Sequence, residues 1–208
     1  MSSPHEEPPN WTDASYTEQS FEQRDLSELE MVRCSFTRCR FKCARMTETR
    51  ADHCQFEECD FTQARLNAAE FRTCSFSNSV FTGANLFLTR FENCRLIGAS
   101  FVDADLGGIT IVAGDWSWTN LRHQTLSGLD LSGIKLMEAE LYGADLSKAN
   151  LRKADLTRAN LNHANLSGAD LRDASLLDAD LKATNLKGAK MDIAQTISFA
   201  RCFGILVE

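Results

Sequence analysis

Every fifth residue from Tyr16 to Met191 is apolar, 36 in succession without a slip, and this spacing restricts the fold more than any other feature of the 208-residue chain. Two residues before each of these centres stands a second restricted position, filled mainly by Ala, Cys, Thr or Ser; from Ala139 to Ala179 it is Ala nine times running. An amphipathic helix repeats at 3.6 residues and a half-buried strand at 2.0, so neither accounts for a period of five. A chain that turns a corner every five residues does, because each corner returns the centre and its small neighbour to the interior.

The residues also give the length of one coil. Phe21, Phe41, Phe61, Phe81 and Phe101 form a series with period twenty, and Leu26, Met46, Leu66, Leu86 and Leu106 form another. Cys34, Cys54, Cys74 and Cys94 repeat in the same way at the small position. Twenty residues make four pentapeptides, hence four faces and about nine coils. Adjacent strands lie about 4.8 Å apart, so the expectation is a rod roughly 40 Å long in which like side chains stack on like. The predicted organisation is an acidic extension over 1–13, the coiled region over 14–191 and a C-terminal segment over 192–208.

The formal charge is −7, and residues 1–30 hold eight acids against Arg24 alone. Between Arg33 and Arg50 lies a basic band of Arg33, Arg38, Arg40, Lys42, Arg45 and Arg50, opposed only by Glu48. An acidic total over a near-neutral body disfavours nucleic acid or an anionic membrane as a direct partner. No apolar run approaches the roughly 20 residues that span a bilayer. Met1 to Pro9 is polar and acidic, unlike a signal or transit peptide, so a cytoplasmic location is expected.

Eight cysteines invite a metal or redox reading. Six of them (Cys34, Cys39, Cys54, Cys59, Cys74 and Cys94) occupy the small inward position, where a buried thiol serves as a small apolar group. Cys43 and Cys202 lie off that register and are the candidates for exposed thiols. Of the four histidines, His5, His53, His123 and His163, the last two share a corner column but lie two coils apart, too far for one metal ion. No P-loop, nucleophile elbow or dinucleotide motif occurs, and a convex rod offers no cleft. The expectation is a non-enzymatic protein without a cofactor or metal.

Outward acids remain. Asp105, Asp115, Asp130, Glu140, Asp145, Asp155, Asp170 and Asp180 all precede a centre, and Asn85, Asn120, Asn150, Asn160, Asn165 and Asn185 share that position. Turn support is one reading of them; a regular array of negative charge like a phosphate backbone is the other. The small position loses its Ala between Ile109 and Ile134, reading Ile109, Gly114, Thr119, Gln124, Leu129 and Ile134, where Trp116 fills a centre and Trp118 a corner. A packing junction is expected there, with a kink or an exposed Trp118 as the alternative. Ala51, the one small centre, predicts an underfilled site between Met31 and Phe71.

After Met191 the register ends. Asp192 to Phe203 reads as a short helix capped by Asp192 and stopped by Gly204, followed by a final strand over Ile205, Leu206 and Val207. Ile193, Ile197 and Ala200 fall on one helical face, and Thr196, Phe199 and Phe203 on another. One face is expected to cap the last coil and the other to meet a second copy, giving an interface of Ile193, Thr196, Ile197, Phe199, Ala200, Phe203, Ile205 and Val207.

The recurring Ala-(Asp/Asn)-Leu-x-x unit resembles the pentapeptide-repeat family over about residues 14–191. The resemblance implies an all-β fold, a right-handed quadrilateral β-helix. The ending, the stretch Gly128 to Leu136 and the stretch Phe91 to Phe101 resemble the MfpA/Qnr fluoroquinolone-resistance subgroup, in its form without projecting loops. That likeness implies a C-terminal homodimer that mimics duplex DNA and binds DNA gyrase, with topoisomerase IV as a second candidate. The eight acids would then be the partner-binding residues, and binding would protect the enzyme from quinolones or related poisons or alter supercoiling. A generic scaffold for another protein is the alternative.

Overall fold

The computed structural model describes residues 10–206. Their backbone turns at every fifth residue. From Asp13 to Gly188, the second residue after each centre has a positive φ between +52° and +72°. It forms the third position of a four-residue turn, as where the Arg24 N–H donates to the Phe21 carbonyl. Such turns require φ > 0 at that position, which favours glycine. Most of these corners are not glycine, so the stacking that fixes each corner outweighs its local strain.

Wherever coils pair with their neighbours, the register is twenty. β1 (Trp11–Thr12), β3 (Glu30–Val32), β5 (Arg50–Asp52), β7 (Glu70–Arg72), β8 (Arg90–Arg95) and β9 (Thr110–Asp115) form one parallel sheet in that order. β2 (Ser15–Thr17), β4 (Ser35–Thr37) and β6 (Gln55–Glu57) form a second. Isolated parallel bridges extend the same register over all four faces as far as Asp170↔Lys190. The pairing begins at Trp11↔Met31, three residues ahead of the expected start of the coiled region. Coils of twenty residues over this span number about nine, and the fold is the expected β-helix.

The centres fill the axis. Phe41, Phe61 and Phe81 are fully buried, with near-parallel rings 4.8–4.9 Å apart, which is the rise of one coil. Phe36, Phe56 and Phe76 form a second column beside them at 4.8 and 4.7 Å. From Leu121 to Leu186 every centre is leucine, and from Ala139 to Ala179 the small position beside it is alanine.

The small position carries a hydrogen bond as well as a size limit. Its hydroxyl or thiol donates to the carbonyl of the centre 23 residues earlier. Thr49 Oγ1 to Leu26 O (2.9 Å), Ser79 Oγ to Phe56 O (2.9 Å) and Cys59 Sγ to Phe36 O (3.4 Å) are examples. The cysteines are therefore weak donors stitching coil to coil, a role the sequence reading did not give them.

At the expected junction the stack splits. Ser100↔Asn120 and Asp115↔Lys135 are paired, but the bridges due at Asp105–Thr125 and Thr110–Asp130 are not formed. Two faces and their corners stand open, with a cleft of about 650 Å³ along Val102–Gly108 and Arg122–Ser127, and a smaller one of about 380 Å³ continuing along Ile109–Ala113. Side-chain volume explains which faces open. Gln124 stands above Ala104 and Leu129 above Ile109, where alanine stands on alanine further along. On the neighbouring face Ile134 stands above Gly114, and the coils hold. Only glycine fits there, because a Cβ on Gly114 would lie 2.2 Å from the Cys94 carbonyl oxygen. Gln124, which is long enough to span the gap, donates from Nε2 to Phe101 O at 2.8 Å.

α1 (Ile193–Cys202) closes the last coil. Asp192 caps it in a reciprocal box with Gln195. The packed face is Gln195, Phe199 and Cys202. Gln195 is buried and its Nε2 donates to Ala174 O at 2.9 Å, while Phe199 and Cys202 lie against the core. This grouping differs from the expected faces: Phe199 turns inward, and a glutamine replaces an apolar residue because the final coil presents bare carbonyls as well as leucines. Ile205 and Leu206 form no strand, a correction to the expected ending. Val207 lies outside the described residues.

Phe61→Ala removes a ring held between two others and should cost about 3–5 kcal/mol in chemical denaturation. A loss below about 1 kcal/mol would mean that the column is not closely packed.

Candidate functional site

The eight outward acids do not form one stripe. Coils repeat at twenty residues, so Asp105 and Asp145 share one face, Asp115 and Asp155 a second, Asp130 and Asp170 a third, and Glu140 and Asp180 the fourth. Each lies two coils, about 10 Å, from its partner on the same face. Between them stand Thr125, Lys135, Asn150 and Asn160.

All eight support a turn. Each carboxylate accepts the N–H two residues on: Gly107 N–H on Asp105 (2.9 Å), Ser147 N–H on Asp145 (3.0 Å) and Thr157 N–H on Asp155 (3.0 Å) among them. Asn85, Asn150 and Asn165 do the same. The asparagines also link rungs. Asn165 Nδ2 donates to Asp145 at 2.9 Å, Asn160 to Glu140 at 2.9 Å and Asn150 to Asp130 at 2.8 Å. An amide between two carboxylates keeps like charges off adjacent rungs.

The acids are not equally free. The Arg172 guanidinium grips Asp170 and holds its carboxyl below the usual range, and Lys135 stands 3.9 Å from Asp115. Among the described residues the other six have no cationic partner within ion-pair distance. The basic band is mostly spent as well, with Lys42 alone of its six cations outside any ion pair among the described residues. Arg33 pairs with Asp13, Arg38 with Glu18, Arg40 with Glu22, Arg45 with Asp25 and Arg50 with Glu30. The acidic first coil thus lies on the basic second coil, a complementarity visible in the sequence at an offset of 18–20. Exposed pairs of this kind add little stability, but they leave no bare cationic patch for a phosphate backbone.

The thiols follow their register. All eight are free, with the six inward ones buried and Cys43 and Cys202 half-exposed. Burial pushes the Cys59 thiol up to about 12 and raises Cys34 and Cys39, so the reactive thiolate is scarce there. His123 and His163 do not meet. Tyr142 stands between them, with ring centroids at 5.5 and 5.3 Å, and the His123 ring occupies space that a Cβ on Gly143 would need. His5 lies outside the described residues. Among the described residues no three metal-binding side chains gather, and no helix is long and apolar enough to cross a membrane.

One expectation needs correction. The rod does have a cleft, where Gln124 and Leu129 prise two coils apart. Ala51 leaves a depression of about 210 Å³ bordered by Met31 and by the outward Glu30, Arg50 and Glu70. Trp118 is exposed at its corner, whereas Trp116 is fully buried and stacked on Phe101, with an Nε1–H that has no partner.

At the C-terminal end Ile193 is 81% exposed and Leu206 91%, with Phe203 and Ile205 at 55% each. Leu206, the most exposed of these, was not among the residues named for the expected interface.

Comparison with known proteins gives the following. Sequence patterns described as a pentapeptide repeat region match residues 52–136, and those described as pentapeptide repeats (8 copies) match residues 154–192. HetL, a pentapeptide repeat protein involved in heterocyst differentiation regulation from the cyanobacterium Nostoc sp. strain PCC 7120, is 30% identical; the alignment covers 88% of this chain and 90% of that one, with a TM-score of 0.61. A trypsin-treated form of QnrB1, a plasmid-mediated fluoroquinolone resistance protein, is 23% identical over 96% of this chain and 100% of its own, with a TM-score of 0.82. Full-length QnrB1 is 20% identical over 95% and 100%, with a TM-score of 0.56. At such identity the likeness to QnrB1 is one of fold. No curated protein matches.

With a thiol reagent, two of the eight cysteines should react promptly in the native protein and the other six only on unfolding. Prompt reaction of a third would show that the inward register is breached.

Proposed function

The chain belongs to the pentapeptide-repeat family, and on that premise we propose that it is a non-enzymatic rod that binds DNA gyrase in place of duplex DNA. Bound there, it shields the enzyme from quinolone-type poisons or lowers supercoiling. The observation that carries this reading is the superposition on a fluoroquinolone resistance protein over 96% of the chain. Carboxylates on the rod would meet a basic groove by position and charge alone. Asp105, Asp130, Glu140, Asp145, Asp155 and Asp180 suit that role best, since the turn bond of each uses one carboxylate oxygen and none has a cationic partner among the described residues.

The rod would act as a dimer joined at its C-terminal end. Ile193, Phe203, Ile205 and Leu206 leave more apolar surface at that end than one chain covers. Thr196, Ile197 and Ala200 flank them on α1, and an isologous contact between two such ends would continue one rod into the next. Location in the cytoplasm, where gyrase works, belongs to the same reading.

A second reading is a scaffold for another protein partner. It is favoured by the even spread of acids over four faces and by the interleaved Lys148, Arg152, Lys153 and Arg158, which weaken any likeness to DNA.

Purified gyrase, assayed for supercoiling and for quinolone-induced cleavage with the protein in several-fold molar excess, should show a fall in one or both. No change in either would exclude the gyrase reading, and recovery of a different protein in a pull-down would support the scaffold. Phe203→Asp should give monomers by light scattering with the far-UV circular dichroism of the rod retained, because more than half of the ring is exposed within one chain. A variant that stays dimeric would place the interface elsewhere.

A further inference from the structure

The split between coils exposes a chemistry that the rest of the rod conceals. Elsewhere each coil donates N–H groups to the carbonyls of the next, as Leu126 N–H to Asp145 O at 2.7 Å and Gly128 N–H to Ser147 O at 2.8 Å. One coil earlier, the corresponding bonds from Leu106 to Thr125, Gly108 to Ser127 and Ile111 to Asp130 are not formed, nor are those from Thr125 back to Ala104 and from Asp130 back to Ile109. Two lips of backbone donors and acceptors therefore face each other in parallel register, each group seeking a partner. Such an edge matches a peptide main chain better than any other ligand, as when an extended segment adds itself to a sheet.

The walls point the same way. Leu106, Ile109 and Ile111 form an apolar floor, and Leu129 is half-buried on the upper lip. Below the lower lip, Phe87 and Leu88 are 45% and 53% exposed. Gly107 and Gly108 above them have no side chains. Phe87 reaches within 3.1 Å of where a Cβ on Gly107 would be, and Leu88 within 2.7 Å for Gly108. The bare corner thus leaves two large apolar side chains uncovered beneath the lower lip, an exposed patch of the kind that marks a contact surface. The rim charges are mixed, with Asp103 and Asp105 on one lip and Arg122 turned onto the Tyr142 ring from the other, so neither a polyanion nor a polycation is selected.

We propose that this cleft receives an extended peptide segment of a partner protein, which pairs its main chain with the split coils and lays an apolar side chain against Phe87, Leu88 and Leu129. The segment takes the place of a missing rung. The site is separate from the C-terminal end and shares only Asp105 and Asp130 with the outward acids, and its test needs no topoisomerase.

Pairing of this kind is largely independent of side-chain identity, so the protein's own rung serves as the probe. Residues 143–153 already pair with residues 124–133 in the rod, and a blocked peptide of that sequence is added to the protein. Amide hydrogen exchange of the full chain is then followed by NMR. Without peptide, the Leu106, Gly108, Ile111 and Thr125 amides should exchange at least about tenfold faster than Leu126, Gly128, Leu131 and Asp145 one coil on. Millimolar peptide should slow the first group by about tenfold or more and leave the second unchanged. The Phe87→Ser and Leu88→Ser variants, altered only at exposed positions, should bind the peptide several-fold more weakly. Equal protection of both groups in the free protein would show that the lips close on each other and would overturn the proposal. No slowing at millimolar peptide would overturn it too, and slowing that both serine variants preserve would overturn the apolar contact.

Discussion

One interaction organises this molecule: the backbone hydrogen bond from each coil to the next, repeated on four faces at an interval of twenty residues. Every other feature is arranged so that this ladder can close. A corner at each fifth residue supplies the return, at the expense of left-handed geometry in residues that disfavour it. Inward phenylalanines and leucines stack at the interval the ladder imposes, and the residue two before each centre must be small enough to let neighbouring coils approach. The outward acids and asparagines hold the turns that keep successive rungs in register.

Failure of the ladder is as informative as its success. Across faces that differ little in backbone, pairing is kept where an isoleucine stands over a glycine and lost where a leucine stands over an isoleucine or a glutamine over an alanine. The same bulky residues keep their pairing on the other side, where Ala144 and Ala149 follow Gln124 and Leu129, so the order of the two residues matters as well as their size. A rod otherwise closed to ligands gains one opening at that level. That opening and the apolar C-terminal end are the two places where the chain presents something other than turns and charges to its surroundings.

Much of this was legible in the residues. The period of five, the coil of twenty, the inward cysteines and the capped terminal helix all follow from spacing, because each depends on a pattern repeated many times. The break at Ile109–Ile134 was visible as a loss of alanine. Its consequence was not, since opening depends on which bulky residue lies above which, and Gly114 rescues one face. The acids were legible as a set but misleading as an array: their fifteen-, ten- and five-residue gaps place them in pairs on four faces, with neutral or basic residues between. The inward face of α1 escaped because its buried member, Gln195, answers a bare carbonyl, and hydrophobic periodicity does not report such a need.

The relation between side-chain volume and coil pairing can be tested by restoring the small residues. Large-to-small changes in a packed core ordinarily destabilise. Here the double variant Gln124→Ala, Leu129→Ala should do the reverse, bringing Thr125 onto Ala104 and Asp130 onto Ile109 and raising the midpoint of urea denaturation. A lower midpoint, with the Leu106 and Ile111 amides still unprotected, would contradict it.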